Sequence, residues 1–445
     1  MAEHPPIRLC EWSSTSVGHL SSATRREIAE AVASWTEANH LPDEPLAFSG
    51  SDGTTLSATH YVGVVEVRGC SIEIYPKLDR AILESSRVDS PQTRSSVMIQ
   101  LLWMLEASGY MDLAETDAAH LNSAEVSYYD LFAFLLAKNL LAELERGVVH
   151  TYRGIQEDSS SIRGRIDLLR QCTQNWGRKD LHRCRWDEFT PDNPMNRLFK
   201  CACRHLQPRV KNPEPARLLA SCTALLDEVS DVDPNTALRG VRMLWNRSND
   251  RFRSSFDIAH RLLSGNAYEM ASGSDDVFVF LLDMDHVFES FVTAAVAARF
   301  GVSVLDQQYI GHLLHDGSRS LIQQIPDMQW TAVGCKWIGD AKYKRLNGIA
   351  SLESEIAGAY DGRLGAADVR QLSCYAGLAA MSGGLTKLAI FYPLVGITNP
   401  DVLRYTTWNG HLLCLVPVRI DQNQSIAQTI PCGSWMSAAT SLVGN

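Results

Sequence analysis

The chain has 445 residues, 45% hydrophobic and 21% charged, enough to bury a large core spread over two or three domains. Its formal net charge of −10 excludes a protein that coats nucleic acid through a bulk positive field, so local basic patches must make any contact with a polyanion. No apolar run is long enough to span a bilayer, the first residues carry no apolar signal core, and the eleven cysteines form no repeated CxxC framework, so a soluble protein in a reducing cytoplasm is expected.

Residues 1–90 read as a β-rich domain with one helix. Ile28, Ala31, Val32 and Trp35 keep helical spacing between Thr24 and Asn39, and Pro42 and Pro45 follow. Tyr61 to Val67 and Ser71 to Lys77 are β-branched runs around Arg68-Gly69-Cys70, a hairpin pattern. Residues 91–270 read as a mostly helical middle region. Met98, Leu101, Leu102 and Leu105 form one stripe, and Leu131, Leu135 and Ala142 lie in a second. Between residues 163 and 185 seven basic residues face two acidic ones. Arg163, Arg165, Arg170, Arg178 and Lys179 could therefore follow a phosphate backbone, or else form a solvated face paired with acids. His182, Cys184, Cys201, Cys203 and His205 offer metal donors without zinc-finger spacing and are expected to pack in a core. Asn193-Pro194 is a cap followed by proline at the first helical position, which points to structural roles for Glu188, Asn193 and Asn196.

A Ser/Gly/Asp-rich linker, Ala271 to Asp276, opens a third domain, 271–445. Phe288, Phe291, Val292 and Ala295 mark an amphipathic helix from Asp283 to Phe300, with Glu289 beside the stripe. Met328 to Gly339 reads as a hairpin that returns Asp340 beside Asp327. Alternation along a strand then puts Asp340 and Lys342 on one side, with Ala341 and Tyr343 on the other. Two carboxylates at such a point suit Mg²⁺, and a lysine there can hold a phosphate or orient a water. Leu346 to Ala367 reads as a loop, and Gln371 and Tyr375 share one face of a helix from Asp368 to Met381. Strands are expected at Leu385 to Val395 and Leu412 to Ile420.

Pro326-Asp327 with Asp340-Ala341-Lys342 resembles the PD-(D/E)xK metal-dependent nuclease motif, and Gln371 with Tyr375 resembles the QxxxY extension of one of its branches. Independently, YVGVVEVRGCSIEIYPKL from Tyr61 to Leu78, Arg163-Gly164-Arg165-Ile166-Asp167 and Asp192-Asn193-Pro194-Met195-Asn196 resemble phrases of the McrC subunit of modified-cytosine restriction systems. The resemblance implies an α/β, multidomain α+β chain whose C-terminal domain is restriction-endonuclease-like around a mixed central sheet. It implies Mg²⁺, with Mn²⁺ as a substitute, held by Asp327, Asp340 and the Ala341 carbonyl. Lys342, Glu289, Gln371 and Tyr375 would complete the catalytic set, and Lys344 would join the DNA-binding residues. The implied partners are a McrB-like AAA+ ring GTPase, contacted by the N-terminal domain, and double-stranded DNA carrying modified cytosine. Two copies could act together in cutting two strands. No GxxxxGK[ST] loop is present, so this chain is not expected to bind nucleotide alone. A non-catalytic activator of a ring NTPase and a stand-alone repair nuclease are the competing readings.

Overall fold

The computed structural model describes residues 6–50, 52–78, 82, 88, 90–109, 127–178, 180–239, 241, 245–247, 249–264, 277–316, 319–344, 366–380, 386–394, 402–431 and 435–436. It is a mixed α and β structure in two compact units, residues 1–128 with 276–445 and residues 129–275, rather than three consecutive domains.

The first unit opens with β1 (Ile7–Cys10), β2 (Ser14–Ser16), α1 (Ser22–Ala38), β3 (Leu46–Ser49), β4 (Thr55–Ala58), β5 (Tyr61–Val67), β6 (Cys70–Tyr75) and α2 (Pro91–Ala107). The apolar stripe of α1 is buried as its spacing predicts, and Ser21 caps it by accepting from the Thr24 amide. β5 and β6 form the expected hairpin, with Arg68 and Gly69 both at positive φ in the turn.

The second unit holds α3 (Tyr128–Glu145, its first residue in the first unit), β7 (Thr151–Ser159), β8 (Arg165–Ile166), α4 (Leu168–Gln174), β9 (His182–Thr190), α5 (Pro194–Leu206), α6 (Pro213–Leu225), α7 (Pro234–Leu238) and α8 (Arg253–Ser264). The basic segment, expected within a mostly helical region, runs through β8, α4 and the start of β9, and β8 and β9 belong to a three-stranded sheet of order β7-β9-β8. Helical periodicity in its flanks concealed those strands, because β7 is exposed along nearly its whole length and lacks an apolar alternation. Gly164 has φ +62°, and a Cβ there would lie 2.5 Å from the Arg185 carbonyl, so only glycine lets β8 close on β9. Asn193 caps α5, accepting from the Asn196 amide, while both asparagine side chains donate to the Val149 carbonyl. Cys184, Cys201, Cys203 and Cys222 are buried, and burial pushes His205 down to about 3, so these groups serve packing.

The chain returns to the first unit as β10 (Val277–Asp283), α9 (Met284–Phe300), β11 (Leu305–Asp306), β12 (Gly311–Asp316), β13 (Arg319–Gln324), β14 (Met328–Ala332), β15 (Cys335–Ala341), α10 (Ala366–Ala380), β16 (Thr386–Leu394), β17 (Leu403–Thr406) and β18 (Leu412–Arg419). β10 adds to the N-terminal sheet, giving the order β1-β6-β5-β10. Gly63 makes that pairing possible. Its φ is +146°, and a Cβ would meet the Phe280 carbonyl at 2.2 Å.

The larger sheet runs β11-β14-β15-β16-β18-β17, parallel at β15-β16-β18 and antiparallel elsewhere. α10 covers one face, packing Leu372, Tyr375, Ala376 and Ala379 against Ile338, Leu388, Ile390 and Leu415. The other side carries Trp337, stacked at 10° on Trp330 and edge-on to Trp435, with Phe300 of α9 against Trp435. Among the described residues, no helix is long and apolar enough to cross a membrane.

Candidate active site

The β14-β15 hairpin forms in the expected register, with Met328 opposite Gly339, which sets Asp327 and Asp340 at one end of the large sheet. The Asp327 Oδ2 accepts the Ala341 amide at 2.8 Å, clamping the entry of β14 to the exit of β15. Lys342 follows the last residue of β15 and anchors its own amide on the Phe391 carbonyl at 2.9 Å. Its Nζ lies 2.8 Å from Asp340 Oδ2. This is a contact of charge more than a well-directed hydrogen bond, since neither buried oxygen of Asp340 has a donor in hydrogen-bonding geometry.

Asp340 is 1% exposed. Burial raises its pKa against the pull of Lys342. Burial first, then the charges of Asp340 and Glu289, lift Asp327 to about 7. Burial acts to lower Lys342, but Asp340 and Asp327 outweigh it and hold the ammonium charged above the ordinary lysine range. Two crowded carboxylates, one of them with both oxygens unsatisfied, are the setting that a hard divalent cation would relieve, so the residues present fit Mg²⁺.

Tyr375 and Gln371 meet this site from α10. Gln371 Nε2 donates to the Tyr375 hydroxyl at 2.7 Å, and that hydroxyl lies 3.2 Å from the Ile325 carbonyl, two residues before Asp327. Burial raises the Tyr375 pKa, and the charges of Asp340 and Asp327 reinforce the shift. Glu289 sits on α9 and reaches the site's edge: Gln307 Nε2 donates to its Oε1 at 3.0 Å, and the Gln307 amide donates to the Asp327 carbonyl at 3.0 Å. Burial opposes its ionisation, but hydrogen bonds from His286 and Gln307 prevail and keep its pKa low.

The basic candidates lie elsewhere or are already engaged. Lys344 pairs with Asp368 at 2.6 Å. In the second unit Arg178 pairs with Asp180 at 3.0 Å, Arg170 donates to Gln156 at 2.8 Å, and Arg163 lies over the Trp186 ring. Arg165 lies on β8, while Lys179 and most of the expected loop Leu346 to Ala367 fall outside the described residues. In the second unit large apolar side chains also stand exposed, with Trp176 at 85% and Tyr152 at 75%.

Two features escaped the sequence reading. His60, Asp283 and Asp285 bring one ligand atom each within 4.8 Å of one another. Asp283 is occupied as the cap of α9, accepting the Asp285 and His286 amides at 2.9 and 3.2 Å, and no sequence pattern links it to His60. The second is Glu11, which is fully buried beside Tyr343. A lone acid at a strand end gives no signal for such a contact.

The family model described as McrBC 5-methylcytosine restriction system component matches residues 56–384. The chain belongs to the McrBC family. The span of the McrBC match runs from β4 past α10, and so takes in the β5-β6 hairpin, the Gly164 turn and every candidate catalytic residue. No curated protein matches the chain. Among solved structures, a chain of the refined half-complex from the tetradecameric assembly of Thermococcus gammatolerans McrB AAA+ hexamers with bound McrC aligns at TM-score 0.63 and 17% identity, covering 96% of this chain and 98% of that one. A chain of the Thermococcus gammatolerans McrBC complex aligns at TM-score 0.46 and 19% identity, covering 66% of this chain and 87% of that one. The first likeness is one of fold, over almost the full length of both chains.

Proposed function

We propose that this member of the McrBC family is the endonuclease subunit of a modification-dependent restriction complex, with a PD-(D/E)xK nuclease core built on the large sheet. The observation that carries the reading is the meeting of Asp327, Asp340 and Lys342 at one sheet end, with Lys342 Nζ 2.8 Å from Asp340. In this reading the substrate is double-stranded DNA carrying modified cytosine, and the partner is a McrB-like AAA+ ring GTPase whose hydrolysis the chain stimulates. The full-length likeness to a chain of a McrB hexamer assembly with bound McrC supports that partner.

Asp327, Asp340 and the Ala341 carbonyl would hold Mg²⁺, which Mn²⁺ could replace. When bound, the ion would neutralise charge on the phosphate and favour ionisation of a water. Lys342, kept protonated by Asp340, would orient the attacking water or hold a phosphate oxygen. Tyr375 and Gln371 would fix the turn that presents Asp327. Glu289, held ionised at the edge, would draw waters toward the cation. Arg163, Arg165, Arg170, Arg178, Lys179 and Lys344 would supply phosphate contacts, with Arg178 and Lys344 exchanging Asp180 and Asp368 for DNA, which makes that contribution dependent on salt.

The test is reconstitution with a cognate ring partner, GTP and methylated DNA, with and without Mg²⁺. Cleavage that requires both Mg²⁺ and Lys342 supports the reading. Stimulated GTP hydrolysis with no cleavage under any divalent condition would leave an activator role only.

A further inference from the structure

We infer that Glu11 is a positioning residue for cleavage: its buried carboxylate, acting through the Tyr343 hydroxyl, holds the short run of chain that presents Lys342 to Asp340. The inference rests on the nuclease reading above and extends the machinery to the N-terminal strand, outside every motif that suggested it.

Glu11 follows β1 directly, and its amide donates to the Tyr75 carbonyl at 2.9 Å, so the backbone is fixed on β6. Its Oε1 accepts two donors, the Lys77 amide at 2.6 Å and the Tyr343 hydroxyl at 2.9 Å. The second bond spans 332 residues of sequence. Tyr343 is buried, with its ring 5.5 Å from Phe288 of α9. On the N-terminal side Lys342 is held by its amide on Phe391. On the C-terminal side the chain has left the sheet, and the Lys344 amide turns back to the Lys342 carbonyl at 2.7 Å. The Tyr343 side chain therefore ties this turn to the N-terminal strand, while the Lys344–Asp368 pair ties its far side to α10. Tyr343 reaches Glu11 while the adjacent Lys342 reaches Asp340, so holding the ring at its anchor limits where the ammonium can stand.

Stability alone does not account for an acid at this position. Glu11 is 0% exposed, and its Oε2 has no partner among the described residues. Burial pushes the carboxyl up to about 8, despite the hydrogen bonds from Lys77 and Tyr343. An ionisable group buried with one oxygen unsatisfied costs stability that a methionine of similar volume would not. What the acid supplies, and methionine cannot, is a fixed acceptor that joins the Tyr343 hydroxyl to the Lys77 amide.

The experiment compares Glu11→Met, Glu11→Gln and Tyr343→Phe in the full-length chain. In the reconstituted complex, Glu11→Met and Tyr343→Phe should lower kcat on the order of 10–100-fold with KM for DNA unchanged, as expected when a reacting group is misplaced by about 1 Å. Glu11→Gln keeps the acceptor oxygen and should stay within about threefold of the wild type. Stimulation of partner GTP hydrolysis should persist in all three. A second readout needs neither metal nor partner: acylation of the Lys342 amine, followed by mass spectrometry, should speed up in Glu11→Met and Tyr343→Phe but not in Glu11→Gln. Should Glu11→Met fail to fold, Tyr343→Phe decides, because it removes only the hydroxyl. Wild-type cleavage and wild-type labelling in Tyr343→Phe would overturn the inference. A wild-type complex that never cleaves DNA would instead sink the nuclease reading, while the labelling still decides the mechanical link.

Discussion

Lys342 Nζ stands 2.8 Å from Oδ2 of Asp340, a carboxylate almost sealed from solvent. The pair spends electrostatic energy inside the fold to keep a protonated amine at the sheet end. Lys342→Ala should reduce cleavage roughly 10²–10³-fold, the usual cost of losing one fixed charge-stabilising donor. It should also destabilise the chain, because the buried Asp340 loses its counter-charge. Thermal melts should show a lowered Tm that the double change Asp340→Asn with Lys342→Ala largely restores, with cleavage not recovered. Stimulation of partner GTP hydrolysis should survive in both.

Asp327 predicts a pH dependence of defined sign. Its folded pKa, about 7, lies well above the ordinary aspartate range, so across that window the folded chain holds a proton the unfolded chain has lost. Stability of the metal-free protein should be fullest below the ordinary carboxylate range and fall as pH rises through about 7. Mg²⁺ should lessen the fall and release protons on binding near neutral pH. Asp327→Asn should flatten this component of the profile. Melting curves recorded with and without Mg²⁺ between the two pKa values check all three statements.

Tyr375 links α10 to the approach of β14 through the Ile325 carbonyl. Tyr375→Phe removes the hydroxyl shared by Gln371 and Ile325, at a cost of about 1 kcal/mol in denaturant unfolding. Because the freed segment leads into Pro326-Asp327, cleavage should fall several-fold more than stability alone would require. Gln371→Ala should be milder, since the tyrosine hydroxyl can still donate to the carbonyl.

Gly63 tests the fold independently of any chemistry. Gly63→Ala places a Cβ 2.2 Å from the Phe280 carbonyl at a φ that side chains rarely adopt, so β10 must move off β5. A loss of about 3 kcal/mol or more is expected from strain and overpacking together. Equilibrium denaturation of the full chain measures it, and an unchanged midpoint would contradict the close approach.

Much of this protein is local and was therefore readable in its residues. The helix of Ile28 and Trp35, the Arg68-Gly69 hairpin, the cap at Asn193 and the alternation that pairs Asp340 with Lys342 all depend on neighbours a few positions apart, where backbone geometry dictates which side chains share a face. The register of β14 on β15 was legible for the same reason. What only the tertiary structure decided are relations between distant segments, which no short-range periodicity encodes. These include β10 joining β5 to unite the N-terminal strands with the site, the exposed β7-β9-β8 sheet in a region that reads as helical, and acidic partners for several of the arginines. Glu11 is the sharpest instance. Nothing around it marks it out, and its role follows from burial and from a hydroxyl that folding brings to its side from the far end of the chain.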